Sequence, residues 1–250
     1  MGAEYEMGMH RDEDRRPLRW IVLDAVGTLI EPSPDVATVY HKIGAKYGSR
    51  LSRDEVKQRF RRAFKDAHRA DGLPDATAFS TSESEEAHFW RAIVADVFED
   101  VADSEACFRD LFEHFAQPSA WVCFDDVGST LQWLAERGFR LAIASNFDRR
   151  LHPVCDGLAE LSGIECRVVS SEVGYCKPAS GFFEAVLRLT QARPEDVLMV
   201  GDDEANDVIG ARQFGVQALH LRRDAAPLIE QPLLERTWIV SLQELEALTP

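Results

Sequence analysis

The stretch 20–30 constrains this chain more than any other. Ile21, Val22 and Leu23 form a short apolar run without alternation, the pattern of a strand covered on both faces within a parallel sheet. Asp24 follows directly, where such a strand would end, and Gly27 and Thr28 supply the sharp turn that lets the chain leave a sheet. Open α/β sheets gather their ligands at the carboxyl ends of their strands. An acid at that point is either a loop cap or one part of a site, and the remaining strand ends decide which.

From Trp121 onward, short apolar runs alternate with helical stretches. Strands are predicted at 140–144, 166–170, 197–200 and 216–221, with 238–240 as a last candidate. Between them, Val127, Leu131 and Leu134 stripe a helix that Gly138 ends, and further helices fall at about 149–161, 180–190, 205–214 and 242–248. Alternation of this kind specifies an α/β fold: a doubly wound, Rossmann-like parallel sheet with right-handed crossovers.

Residues 34–117 carry helical patterns alone. Asp35 caps a helix that Gly48 ends, and Ser52 with Glu55 forms a capping box for a helix to about Arg69, lined by Val56, Phe60, Ala63, Phe64 and Ala67. Its other face carries Lys57, Arg59, Arg61, Arg62 and Lys65, a run that reads as solvated. A Pro-, Ser- and Thr-rich loop over 71–84 precedes a stripe of Phe89, Trp90, Ile93, Val94, Val97 and Phe98, and a fourth helix spans about 103–115. The expected organisation is a mobile tail over 1–16, a Rossmann-like core built from 17–33 and 118–250, and a helical cap inserted over 34–117.

Composition narrows the partners. The 28 Lys and Arg against 43 Asp and Glu leave a net charge of −15, a field that repels nucleic acid and anionic membrane surfaces. A small anionic substrate then requires local positive charge. The five cysteines, Cys107, Cys123, Cys155, Cys166 and Cys176, are scattered, with no metal-ligand spacing and an odd count for disulfides, which points to reduced thiols in a cytoplasmic protein. No window reaches the length of a membrane span, and the charged start is unlike a secretory signal.

Polar residues close every predicted core strand. Asp24 ends the first, Ser145 and Asn146 the strand at 140–144, and Gly201, Asp202 and Asp203 the strand at 197–200, while Lys177 and Pro178 precede the helix at 180. Strand ends share one edge of such a sheet, so these groups are placed to meet in one cleft. Neighbouring carboxylates repel unless a cation neutralises them, and an all-oxygen set suits Mg²⁺. An acid nucleophile, a hard cation, and Ser145 with Lys177 as an anion clamp describe phosphoryl transfer better than any other common reaction.

The order Asp-x-x-Gly-Thr-Leu from Asp24, Ser-Asn after a strand, Lys-Pro, then Gly-Asp-Asp-x-x-x-Asp from Gly201 resembles the four motifs of the haloacid dehalogenase-like hydrolase superfamily, over essentially all of the chain after the tail. Residues 144–151, with the lead-in 118–121, are similar to the branch called haloacid dehalogenase-like hydrolase domain-containing protein 3. The resemblance implies that Asp24 is the nucleophile, that Thr28, Ser145, Asn146 and Lys177 bind substrate, and that Lys177 offsets charge on Asp24 and the phosphoryl group. It also implies that Asp24, Asp202 and the main-chain carbonyl of Val26 hold Mg²⁺. Asp203 and Asp207 are then outer-shell acids, unless they only complement the dipole of the following helix.

One departure bears on the reaction itself. The superfamily's phosphatases carry a second Asp two residues after the nucleophile, which protonates the leaving group and later activates water. Val26 stands there. A carbonyl ligand does not depend on the side chain, so the substitution spares the metal and removes the proton relay, at a typical cost on the order of 10²–10⁴ in rate. Leaving groups that need no protonation, such as acyl or aryl phosphates, suit such a site. The 2-haloacid dehalogenases also lack the second Asp, but they work without Mg²⁺ and replace Gly-Asp-Asp by Ser-Ser-Asn. Phosphonoacetaldehyde hydrolases use a cap lysine, for which Lys57 and Lys65 are the candidates. A binding protein on a retained fold is the non-catalytic alternative.

Overall fold

The computed structural model describes residues 18–70, 79–226 and 232–248. The expected tail over 1–16 and residues 71–78 of the expected loop lie outside them. β1 (Trp20–Leu23) is buried along its length and pairs in parallel with β4 (Arg140–Ser145) on one side and β6 (Val197–Gly201) on the other. β5 (Cys166–Val169) lies beyond β4, and β7 (Gln217–Leu221) and β8 (Trp238–Ile239) beyond β6, in the all-parallel order β5-β4-β1-β6-β7-β8. The chain thus winds outward on one side of β1 and returns to its other side. That reversal places a crevice at the carboxyl end of β1.

Period-two alternation explains why β1 reads as uniformly apolar. Ile21 and Leu23 join one buried layer with Leu131, Leu134, Ile143 and Leu151, while Trp20 and Val22 join the opposite layer with Phe182, Phe183, Met199 and Val208. The first layer is supplied by α5 (Val127–Glu136) and α6 (Leu151–Gly157), the second by α8 (Ser180–Thr190), which follows the single-turn α7 (Ser170–Val173). α6 is shorter than the expected 149–161 helix. Leu158 leaves it in extended backbone, next to Gly157, which packs so tightly on Pro118 that a Cβ would overlap the proline ring.

Four helices form a second unit: α1 (Val36–Lys46), α2 (Arg53–Ala70), α3 (Glu83–Val97) and α4 (Ser104–His114). Asp35 accepts from the Thr38 amide, Ser82 from the Glu85 amide and Asp103 from the Ala106 amide, while Ser52 and Glu55 each accept from the other's amide. The unit has its own core, in which Tyr40 packs edge-on against Phe60 at 5.0 Å and stacks on Phe98 at 6.1 Å. Aromatic pairs at such separations add about 0.5–1.5 kcal/mol beyond the area they bury.

Besides a hydrogen bond from Arg150 Nη1 to the Phe112 carbonyl, two attachments join this unit to the sheet. One is a ribbon that the helical pattern did not anticipate, β2 (Ile30–Pro32) antiparallel to β3 (Trp121–Cys123), through which the chain enters and leaves the unit. The other lies at 79–83. Ser80 bridges Tyr175, the Thr81 amide donates to the Gly174 carbonyl at 3.1 Å, and Glu83 accepts from the Ser171 hydroxyl at 2.5 Å and the Arg149 amide at 2.9 Å.

Candidate active site

Asp24 continues the β1 ladder, its amide donating to the Val200 carbonyl at 2.9 Å, and its side chain points into a buried cluster. Lys177 arrives from the loop before α8. Its ammonium donates to Asp24 Oδ1 at 2.6 Å, Asp207 Oδ1 at 2.6 Å and the Ala144 carbonyl at 2.9 Å, which uses all three of its donors. Asn146 holds the lysine's main chain from both sides: Oδ1 accepts from the Lys177 amide at 2.7 Å and Nδ2 donates to the Lys177 carbonyl at 3.0 Å. Both ends of that amide are therefore committed to positioning Lys177. Ser145, 2% exposed, ends β4 beside it.

Asp202 follows β6. Thr28 Oγ1 donates to Asp202 Oδ1 at 3.1 Å, and His220 Nε2 lies 2.9 Å from the Asp202 carbonyl. Gly27 makes room for this carboxylate: its φ is +88°, and a Cβ there would overlap Asp202 Oδ2. Gly201 does the same for Asp207, whose carboxylate occupies the space a Cβ would take. The predicted helix at 205–214 begins instead as a π-helical turn, Glu204–Ile209, and continues as α9 (Gly210–Gln213). Within that turn Asp207 Oδ2 accepts from the Asp203 amide at 3.0 Å while Oδ1 holds Lys177. Asp203 itself is exposed and caps the turn, accepting from the Ala205 and Asn206 amides.

Asp24, Asp202 and Asp207 each offer an oxygen within 4.8 Å of the others. Burial pushes the Asp24 carboxyl above its ordinary value against the pull of Lys177, and it raises Asp202 with help from the charge on Asp207. Asp207 is pushed up to about 6, again by burial first and against Lys177. Burial disfavours the Lys177 ammonium, but Asp207 and Asp24 outweigh it and hold the lysine charged. Two buried carboxylates on one ammonium, with the exposed Asp202 beside them, leave excess negative charge on an all-oxygen donor set. A hard divalent cation fits that donor set.

Some contributors were not visible in the chain order. Arg223, just past β7, donates to the Thr28 carbonyl at 2.7 Å and to Asp126 Oδ2 at 2.9 Å, which fixes the turn after β1. Its only signal was the Arg222–Arg223 pair at a strand end. Val26 is half-buried and, with Asn146, forms one wall of a cavity of about 300 Å³ between the sheet and the helical unit. Across that cavity stand aromatic rings from α1, α2, α3 and α4.

Comparison with known proteins agrees with this architecture. The family model for haloacid dehalogenase-like hydrolases matches residues 18–215. The chain is 27% identical over 238 residues to haloacid dehalogenase-like hydrolase domain-containing protein 3 of Danio rerio, covering 93% of this chain and 97% of that protein. Among solved structures, the HAD-hydrolase YfnB from Bacillus subtilis, bound to magnesium, is similar with a TM-score of 0.68 at 19% identity, covering 92% of this chain and 97% of that one. The L-2-haloacid dehalogenase PA0810 is similar with a TM-score of 0.66 at 18% identity and the same coverage. Both likenesses concern the fold. Among the described residues no helix is long and apolar enough to cross a membrane. With the four strand-end motifs gathered at one crevice and the family model spanning 18–215, the chain belongs to the haloacid dehalogenase-like hydrolase family.

Proposed function

We propose that this chain is a Mg²⁺-dependent hydrolase of a small phosphorylated metabolite, with Asp24 as its nucleophile and the helical unit as the cap over the cleft. The observation that carries the reading is the buried pair Asp24 and Asp207 on Lys177 with the exposed Asp202 beside it, the three offering oxygens within 4.8 Å of one another, and two glycines whose missing Cβ atoms admit Asp202 and Asp207. Asp24, Asp202 and the Val26 carbonyl would hold Mg²⁺, which when bound offsets the charge of the phosphoryl group as it nears Asp24. The magnesium in the Bacillus subtilis structure supports that choice of ion. The free thiols of Cys107, Cys123, Cys155 and Cys166 fit a reducing, cytoplasmic setting.

Each side chain then has a defined task. Lys177, pinned by Asp207 and Asn146, holds one Asp24 oxygen and leaves the other to attack phosphorus. Ser145 binds a phosphoryl oxygen, the Lys177 charge offsets that of Asp24 and the phosphoryl group, and the P–O bond to the leaving group breaks as the Asp24–phosphorus bond forms. Thr28 orients Asp202 rather than the substrate. Val26 offers no proton to the leaving oxygen and no base to the water that later attacks the aspartyl phosphate, so the second step limits turnover.

Rapid mixing with an activated aryl phosphate and Mg²⁺ tests this. A burst of released phenol equal to the enzyme, absent in Asp24→Asn, is the expected result. Linear release unchanged by Asp24→Asn would sink the reading, and absence of both burst and turnover would favour a binding protein. Val26→Asp should raise steady-state turnover, on the order of 10²-fold or more. Val26 and its apolar cavity favour one second reading, a metal-independent 2-haloacid dehalogenase, which chloride release from a 2-haloacid in the presence of a chelator would establish.

A further inference from the structure

The cavity is lined by Val26, two residues after Asp24, and by Asn146, next after Ser145, and it is mainly apolar where the carboxylate cluster is charged. Its sheet side includes Val26, Asn146 and Phe147, and opposite them stand Tyr40, Phe60, Trp90 and Phe112. The volume, about 300 Å³, lies at the small end of the range for ligand pockets and suits one ring or a compact bicyclic group. Arg150 is the one charged residue of the lining, and it is already engaged. Its Nε and Nη2 donate to Asp148 at 2.7–3.1 Å, its Nη1 donates to the Phe112 carbonyl at 3.2 Å, and its guanidinium lies 3.5 Å over the Phe112 ring. Trp121 Nε1 likewise donates to the Phe115 carbonyl at 3.0 Å. Among the described lining residues there is neither a carboxylic acid nor a histidine, and burial raises the Tyr40 hydroxyl well above its ordinary value, which makes it a poor proton donor.

We propose that this cavity seats the leaving group of the substrate and that the leaving group is a phenol, so that the substrate class is an aryl phosphate monoester. The inference rests on the phosphohydrolase reading above and names what that reading leaves open. A sugar or polyol placed here would bury hydroxyls among rings with few partners, at a cost of about 1–3 kcal/mol for each one unmet. An aromatic ring instead meets rings edge and face, the arrangement its quadrupole favours. The chemistry points the same way. A phenol, with a pKa of about 10, departs as phenolate without a donor, whereas an aliphatic alkoxide is closer in basicity to hydroxide and needs one. As the Asp24–phosphorus bond forms, the phosphorus–aryl oxygen bond breaks and its electron pair leaves on the phenolate, which takes a proton from solvent. Water then displaces the aspartyl oxygen from phosphorus, releasing inorganic phosphate and a proton and restoring Asp24.

Phosphonates, whose P–C bond the enzyme cannot hydrolyse in this way, separate binding from turnover. Titration of the whole protein with phenylphosphonate and with methylphosphonate, both with Mg²⁺, should show the phenyl compound binding at least tenfold more tightly. It should also quench emission from Trp90 and Trp121, which line the cavity, where methylphosphonate does not. Val36→Phe, which adds a ring to the lining, should bring phenylphosphonate to the affinity of methylphosphonate and leave the latter unchanged. Equal affinities in the natural protein, quenching by neither compound, or an advantage untouched by Val36→Phe would overturn the assignment while leaving the phosphohydrolase standing. Failure of both phosphonates and of inorganic phosphate to bind with Mg²⁺ would overturn the phosphohydrolase reading and this inference with it.

Discussion

The two walls of the cleft are built on different physics. On the sheet side, Asp24 and Asp202 follow strands, Lys177 lies in the loop before α8 and Asp207 in the π-helical turn, and three of them are fixed by a neighbour: Asn146 for Lys177, Thr28 for Asp202, the Asp203 amide for Asp207. On the helical side, the rings of Tyr40, Phe60, Trp90 and Phe112 present almost no polar atoms. Charges hold position through specific partners and are costly to leave unmet, whereas an apolar wall is set by volume and tolerates exchange of similar side chains. The charged groups and the rings of α1–α4 thus come from separate stretches of chain.

That separation can be broken experimentally, starting with the sheet wall. Lys177→Met leaves the buried acids without their ammonium and should cost about 3–5 kcal/mol of stability, read as a lowered urea midpoint. Mg²⁺ should recover part of that loss; if the midpoint does not move with Mg²⁺, the acids are not the metal's seat. Gly27→Ala forces a side chain into left-handed backbone and against Asp202, so a loss of about 1–3 kcal/mol should accompany weaker Mg²⁺ binding by calorimetry. Undiminished Mg²⁺ affinity would separate Asp202 from the metal. The smallest effect belongs to the helical unit. Asp35 is held down at about 2 by hydrogen bonds from Thr38 and Arg53. Its folded value lies below its unfolded one, so its contribution is present above pH 3.8 and is lost as the pH falls toward 2. Asp35→Ala should cost at most about 1 kcal/mol and flatten that acid limb in circular dichroism, with Mg²⁺ binding unchanged.

The sheet wall was far more legible in the sequence than the helical one. Ile21–Leu23 followed by Asp24 identifies a buried strand and its acid because an all-apolar run and a polar stop are local signals. Helix caps at Asp35 and Ser52 are equally local. The β2–β3 ribbon was hidden because three residues are too few to show a period. Thr28 reads as a turn residue, and its bond to Asp202 spans 174 positions, beyond what any spacing rule conveys. Phe60 and Trp90 read as helix core. They are core on one side, packing on Tyr40 and Phe89, and cavity wall on the other; periodicity cannot tell these apart. Asp203 and Asp207 were equivalent acids in the motif until the π-helical turn carried one inward and left the other as a cap.

The ribbon of β2 and β3 has a mechanical consequence. A body fastened along one short line keeps a single rotational freedom, that of a door about its hinge. The contacts of Ser80, Thr81 and Glu83 with residues 171–175 fall off that line and act as a catch. The hydrogen bond from Arg150 to the Phe112 carbonyl also lies off that line, so both oppose rotation about the hinge.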